Sequence, residues 1–357
     1  MTDIKIILED GAEFSGKSFG YQGSAAGELV FNTAMTGYPE SLTDPAYKGQ
    51  ILVMTCPLAG NYGIPCNDRE NGIPKYFESD SIHVSALVVT DYTAEHSHWA
   101  ACNSLGGWMK ENRIPGVYDV DTRALTQHLR EKGTMQGKIV FNHQDVPFNH
   151  PDHDHPVGMV SCKEKIVYGN GAHRILLVDC GVKYNIIRDL IANDCSVIRV
   201  PWNYDFLDED YDGLLISSGP GDPKKCKATV QNVAKALQRN KPVMGIGLGG
   251  LLMGLAVGAD TFKLKFGHHG HNQPVRLSGS NTAFITAQNH GFALNSDTLP
   301  KEWEPYYVNL NDGANEGFRH KTKPFFSVQF HHEASAGATD TEYMFGRFIE
   351  EVKKFKH

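Results

Sequence analysis

Apolar residues follow two different rhythms along this chain, and the change falls near Arg174. Before it, short apolar or alternating runs at residues 4–9, 50–56 and 83–90 are bounded by Gly, Pro and Asp, the pattern of strands joined by turns. Asp121 opens a helical stretch in which Ala124, Leu125, His128 and Leu129 recur near the helical period. The expectation for residues 1–150 is a mainly β domain with some helix.

From Arg174 strands and helices alternate. Residues 175–178, 196–200, 213–217 and 242–247 are apolar enough for buried strands. Between them, residues 185–194 carry Ile186, Ile187, Leu190 and Ile191 on one helical face, and residues 229–239 form a second helix. A last helix sets Met344, Phe345, Phe348, Ile349, Val352 and Phe355 along a core-facing stripe. Apolar strands alternating with helices imply a parallel sheet covered on both faces, so residues 174–357 are expected to form a doubly wound α/β domain. The Pro-, His- and Asp-rich residues 151–173 are expected to be a linker.

A chain of 357 residues is long enough for two such domains, each with its own core. Apolar residues at 41% and charged residues at 21% are ordinary for a globular protein. A net charge of −7 and a pI near 6.2 argue against a nucleic-acid partner, whose phosphates require a basic face. The amino terminus has no apolar leader and no 18 apolar residues run together, so the expectation is a cytoplasmic protein without a membrane partner. Seven scattered cysteines without a CxxC pair suggest reduced thiols. Among the 17 histidines, His150, His153 and His155 sit in a proline-bounded polar stretch that suits a solvated linker. No metal site is expected there, because ligands need fixed spacing on a rigid element.

Three segments of the second half carry the chemistry. Ser217-Ser-Gly-Pro-Gly-Asp-Pro223 follows a strand, where Gly-Pro-Gly makes a turn and lets backbone N–H groups approach a ligand oxygen. Met244-Gly-Ile-Gly-Leu-Gly-Gly-Leu251 runs from a strand into a helical stretch and has the shape of a nucleophile elbow. A dinucleotide site would need G-x-G-x-x-G early in a βαβ unit and an acidic residue about 20 positions on, which is not the arrangement here. Ser327-Val-Gln-Phe-His-His-Glu333 ends an apolar strand with an H-x-E, which places an imidazole and an orienting carboxylate in one loop.

In order and spacing these segments resemble class I, triad-type glutamine amidotransferases. The first half narrows the resemblance. Leu8-Glu-Asp-Gly11, Gly27-Glu-Leu-Val-Phe-Asn-Thr33, Met35-Thr-Gly-Tyr-Pro-Glu40, Leu42-Thr-Asp-Pro45, Asn61-Tyr-Gly63 and Asp121-Thr-Arg123 resemble the amino-terminal half of carbamoyl-phosphate synthetase small subunits. Asp179-Cys-Gly-Val-Lys-Tyr-Asn185, Gly270-His-Asn-Gln-Pro274 and Gln288-Asn-His-Gly-Phe292 resemble the second half. The resemblance spans nearly the whole chain. It implies a class I amidotransferase-like α/β domain after an amino-terminal domain specific to this subunit. It further implies a cytoplasmic heteromer with a large subunit that makes carbamoyl phosphate for pyrimidine and arginine biosynthesis. Glutamine or ammonia would be the small molecule, with no cofactor in this chain and ATP and Mg in the large subunit.

In that family a cysteine at the elbow attacks the glutamine amide, a histidine moves the proton and a glutamate orients the histidine. The resemblance puts His331 and Glu333 in the last two roles, and Gly219, Gly221, Leu248, Asn289, Gly291 and Phe292 around the substrate. The family elbow is Gly-Ile-Cys-Leu-Gly-His-Gln. Here Gly245-Ile-Gly-Leu-Gly-Gly-Leu251 puts Gly247 at the nucleophile position. Leu251 also stands for glutamine, Ala46 for serine, Gly250 for histidine, His269 for arginine and His332 for proline. The expectation is a pocket whose own glutaminase is lost. The alternatives are a glutaminase with another nucleophile, such as Cys56 or Cys180, and a pocket recruited for another ligand. For a metal held by His269, His271, His290 and His332, motif spacing shows no convergence of the four rings.

Overall fold

The computed structural model describes residues 4–149 and 155–356. They divide into two compact units, Met1–Asp154 and His155–His357.

The first unit is built on a closed barrel. Its strands are β1 (Ile4–Leu8), β2 (Glu13–Ser18), β3 (Ala25–Asn32), β4 (Gln50–Met54), β5 (Ala86–Val88), β6 (Gly116–Tyr118) and β7 (Met135–Phe141). They close in the order β1-β7-β3-β4-β5-β6-β2. Closure removes the sheet edges and wraps the strands around a core that includes Val30, Leu52 and Leu87. Helix α1 (Thr122–Lys132) begins where the sequence places it. Asp121 Oδ1 accepts from the Ala124 N–H at 2.9 Å, and Leu125 and Leu129 are fully buried. The barrel carries more strand than the local pattern shows, because β2 alternates only between exposed and half-buried positions.

The second unit holds a ten-stranded sheet. In chain order its strands are β8 (Ile166–Tyr168), β9 (His173–Asp179), β10 (Cys195–Pro201), β11 (Gly213–Ile216), β12 (Val243–Ile246), β13 (Asp260–Leu277), β14 (Ala283–Asn295), β15 (Trp303–Asn309), β16 (Asn315–His320) and β17 (Phe325–Val328). The spatial order is β8-β10-β9-β11-β12-β17-β16-β14-β13-β15. Strands β10, β9, β11, β12 and β17 run parallel. The helices between them are α2 (Tyr184–Ala192), α3 (Lys227–Ala236) and α4 (Leu248–Ala256), with α5 (Tyr343–Lys356) at the end. Alternation of apolar strand and amphipathic helix therefore gives the α/β layer the sequence implies.

Two expectations are corrected. Residues 155–173 are not a linker: a short helix, Pro156–Val160, and strand β8, paired antiparallel with β10, belong to the second unit. A three-residue edge strand with Val167 exposed is too short to announce itself by alternation. His150 and His153 lie outside the described residues. His155 caps the short helix, its Nδ1 accepting from the Gly158 N–H at 3.2 Å, and its ring stacks on Trp202. Cys66 and Cys102 are joined as a disulfide, with Cα atoms 5.2 Å apart, against the expectation of reduced thiols throughout. No described helix is long and apolar enough to cross a membrane.

Candidate active site

Strand β12 ends at Ile246 and helix α4 begins at Leu248, so Gly247 alone makes the turn. Its φ of 54° and ψ of −118° lie in a region that residues with a Cβ rarely enter. The Gly247 N–H donates to the Val328 carbonyl at 2.8 Å, which fixes the elbow to the end of β17. Its own carbonyl accepts from the Gly250 N–H at 3.0 Å and so starts the helix. A side chain at 247 would meet Ser218 Cβ at 3.4 Å and the Gln329 carbonyl at 3.8 Å, ordinary contacts that leave room. The α4 amino terminus directs its unpaired N–H groups to this place.

Neighbouring glycines are there for close approach. A Cβ on Gly249 would lie 2.1 Å from the Ile216 carbonyl, and one on Gly219 would lie 2.0 Å from the Cys180 carbonyl and 3.1 Å from Leu248 Cδ2. Gly219 and Leu248 thus meet across the β11 and β12 turns. Ser217 Oγ accepts from the Cys180 N–H at 2.9 Å and holds that turn shut.

His331 and Glu333 leave the end of β17. The His331 N–H donates to the Ala287 carbonyl at 2.8 Å, joining this segment to β14. His331 Nδ1 lies 2.7 Å from Glu333 Oε1, a carboxylate with no exposure. That contact puts the proton on Nδ1 and leaves Nε2 as the basic nitrogen. Burial alone would push the Glu333 carboxyl up. Lys183 and then His331 outweigh it and hold Glu333 well below the usual glutamate range.

Sequence reasoning assigned no role to Lys183 and Asn185, and both build this site. Lys183 Nζ lies 3.3 Å from Glu333 Oε1 and donates to the Ala334 carbonyl at 2.7 Å, while Asn185 Nδ2 donates to the Glu333 carbonyl at 2.6 Å. The turn that presents them is folded by Asp179. Its Oδ1 accepts from the N–H groups of Gly181 and Val182, each at 2.9 Å, and its Oδ2 pairs with Arg199 at 2.6 Å. The signal was the Asp179–Asn185 segment itself, a polar cluster directly after a buried strand.

The remaining residues are more dispersed. Asn289, Gly291 and Phe292 lie on β14. Asn289 Oδ1 is 2.8 Å from His269 Nδ1, space is open beside Gly291, and Phe292 packs against the core cluster that contains Leu248. Gly221 has a φ of 87° and abuts Pro156. Leu251 is buried in the same core cluster, and Ala46 is buried in a 3-10 turn of the first unit. His332 is wholly buried against Phe345, with neither ring nitrogen hydrogen-bonded, and burial pushes it down to about 4. His269, His271, His290 and His332 do not form one ligand cluster among the described residues. Of the four, only His290 joins a group of potential ligands, with His268 and Glu316.

A parallel sheet with a strand-to-helix elbow, and a His–Glu pair at the end of the neighbouring strand, is the class I glutamine amidotransferase arrangement. Residues 176–351 match the family model described as "Glutamine amidotransferase class-I". Residues 6–139 match "Carbamoyl-phosphate synthase small chain, CPSase domain", so the chain carries a domain of each of these two families. "Carbamoyl-phosphate synthase [ammonia], mitochondrial" of Homo sapiens is 50% identical over 356 residues, which are 98% of this chain and 24% of that protein. "Multifunctional protein CAD" of Squalus acanthias is 47% identical over 98% of this chain and 16% of its own length. "Multifunctional protein URA2" of Saccharomyces cerevisiae is 46% identical over 99% of this chain and 18% of its own. The chain thus spans about a quarter or less of the length of these relatives. A solved glutamine amidotransferase of Thermotoga maritima aligns with 52% of this chain and 86% of its own at 19% identity, with a TM-score of 0.39.

Proposed function

We propose that the chain serves as the small, amidotransferase-type part of a carbamoyl-phosphate synthetase, partnered by a large ATP- and Mg-using subunit, and that its own glutaminase is absent. The observation that carries the second half of this reading is Gly247. It stands at the elbow, where the family resemblance puts the cysteine nucleophile, and it has no atom to attack an amide. His331 and Glu333 keep the geometry of a general base and its orienter, but an imidazole without a thiol to deprotonate forms no thioester. The relatives named for ammonia-dependent carbamoyl-phosphate synthase support ammonia as the nitrogen source. Carbamoyl phosphate made by the pair would serve pyrimidine and arginine biosynthesis in the cytoplasm.

A substitute nucleophile finds little support. Cys180 is fully buried, and burial pushes its thiol far up, which keeps it protonated and inert. Cys56 belongs to the first unit, where its thiol meets the Met35 carbonyl.

The test combines the purified chain with its large subunit and compares nitrogen donors. Ammonia should support carbamoyl phosphate formation, glutamine should not, and the chain alone should release no ammonia from glutamine. Glutamine-dependent ammonia release at a rate normal for the family would overturn the reading.

A further inference from the structure

We propose that His268, His290 and Glu316 form a binding site for a divalent transition-metal ion of the zinc class. The three residues come from three strands, β13, β14 and β16. His268 and His290 face each other directly across the β13–β14 ladder, with ring centroids 4.8 Å apart and planes at 85°. All three are at least nine-tenths buried, and Glu316 has no exposure.

The outward nitrogens are already committed. His290 Nδ1 lies 2.9 Å from the Phe292 carbonyl, and His268 Nε2 lies 2.9 Å from an Asp312 carboxylate oxygen. Both partners only accept, so each outward nitrogen carries the proton. Metal-bound histidines are held in this way, by a carbonyl or carboxylate on the far nitrogen.

The inward nitrogens face the third group. His268 Nδ1 is 2.9 Å from Glu316 Oε1, and His290 Nε2 is 3.6 Å from Glu316 Oε2. Gln288 turns its Oε1 to His290 Nε2 at 3.3 Å, since its own amide nitrogen serves Thr286. Asn309 Nδ2 also reaches the cluster, 2.9 Å from Glu316 Oε1 and 3.3 Å from His268 Nδ1. Glu316 Oε2 is buried, and among the described residues it has no hydrogen-bond partner within 3.5 Å, with His290 Nε2 at 3.6 Å. Two inward imidazole nitrogens and a carboxylate thus converge within 4.8 Å, and a metal ion bound there would replace the inward protons that link both rings to Glu316. Zinc bonds of about 2.0–2.2 Å give ligand-to-ligand edges of roughly 3.3 Å, within the range of the contacts seen. Two nitrogens and one carboxylate suit zinc or its neighbours better than calcium or magnesium, which prefer all-oxygen sets. The site shares no residue with the His331–Glu333 pair.

The test uses the untagged full chain, stripped with a chelator, loaded with zinc(II) and desalted, with metal measured by mass spectrometry. About one zinc per chain should be retained, and cobalt(II) in its place should give visible d–d bands. Glu316→Gln and His290→Gln should abolish retention, and Asp312→Asn should weaken it about 10–100-fold. Because Asp312 is partly exposed, its variant reports on the site even if the buried variants fail to fold. His320→Gln, at the last residue of β16, should retain zinc normally. A wild-type chain that keeps no zinc overturns the proposal: the two rings are then charged by protons alone. Equal retention by the Asp312 variant and wild type overturns it as well, since the zinc would then sit on surface histidines.

Discussion

Lys183, at the start of α2, holds Glu333, its Nζ 3.3 Å from Oε1 and only 5% of its side chain exposed. The pair is buried, so removing one partner strands a charge. Lys183→Met should lower unfolding stability by about 3–5 kcal/mol, and adding Glu333→Gln should recover part of the loss. Urea denaturation of the single and double variants checks this. Equal stability of Lys183→Met and wild type would remove Lys183 from the support of the site.

Acid sensitivity should come from the same pocket. Glu333 titrates below its ordinary value of about 4.5, so its contribution is present above that pH and lost as the pH falls below it. His332 is pushed from 6.5 to about 4, by burial first and by the charges of His331 and Lys183 against the opposing pull of Glu333. Between those values the unfolded chain binds a proton that the folded chain refuses, so stability falls with pH by up to about 3 kcal/mol. His332→Leu should flatten this slope between pH 6.5 and 4 in thermal melts. His83 and His271, also pushed down to about 4, remain in both proteins and cancel in the difference. An unchanged slope would mean that His332 is charged in the fold.

Gly219→Ala tests close approach at the β11 turn. The added methyl would overlap the Cys180 carbonyl, a backbone atom that cannot swing aside. The loss should be at least about 2 kcal/mol, measured by chemical denaturation. A neutral substitution would show that the turn is looser than its contacts indicate.

Much of the second unit was legible because its parallel strands are buried on both faces and stand apart as apolar runs, as in β9 and β11. The antiparallel arm was not. Strand β13 mixes exposed lysines with a buried His-His-Gly run, and its pairing slips between Lys263 and His268 and again between Gly270 and Gln273. No period survives two such irregularities. In the site, Gly247, His331 and Glu333 were visible because each sits in a compact motif. Lys183 was not, nor was Glu316 of the separate histidine cluster, since their partners lie 150 and 48 residues away in the chain, and only folding brings them together.

Gly247→Cys should supply an attacking atom without restoring normal glutaminase. Loss of a triad nucleophile costs on the order of a millionfold in turnover in a serine protease, so the unmodified chain should be silent. The added side chain finds room beside Ser218, but it must accept a φ of 54° that glycine tolerates more easily. Leu251 also offers carbon where the family resemblance expects an amide, and a missing polar partner costs about 1–3 kcal/mol. Ammonia release by the single variant should stay well below an intact family member and rise when Leu251→Gln is added. A normal rate from Gly247→Cys alone would show that the rest of the pocket is intact.

The elbow also bears on how this site can change with time. Its shape is held by the N–H of Gly247 on Val328 and by Gly249 against Ile216, contacts made by the backbone and indifferent to any reaction. Selection for folding alone therefore keeps the turn in place, whether or not chemistry occurs there. A glycine codon can become a cysteine codon by one base change. The scaffold thus remains within one or two base changes of presenting a thiol, while the polar groups that would position a substrate must be gained one by one.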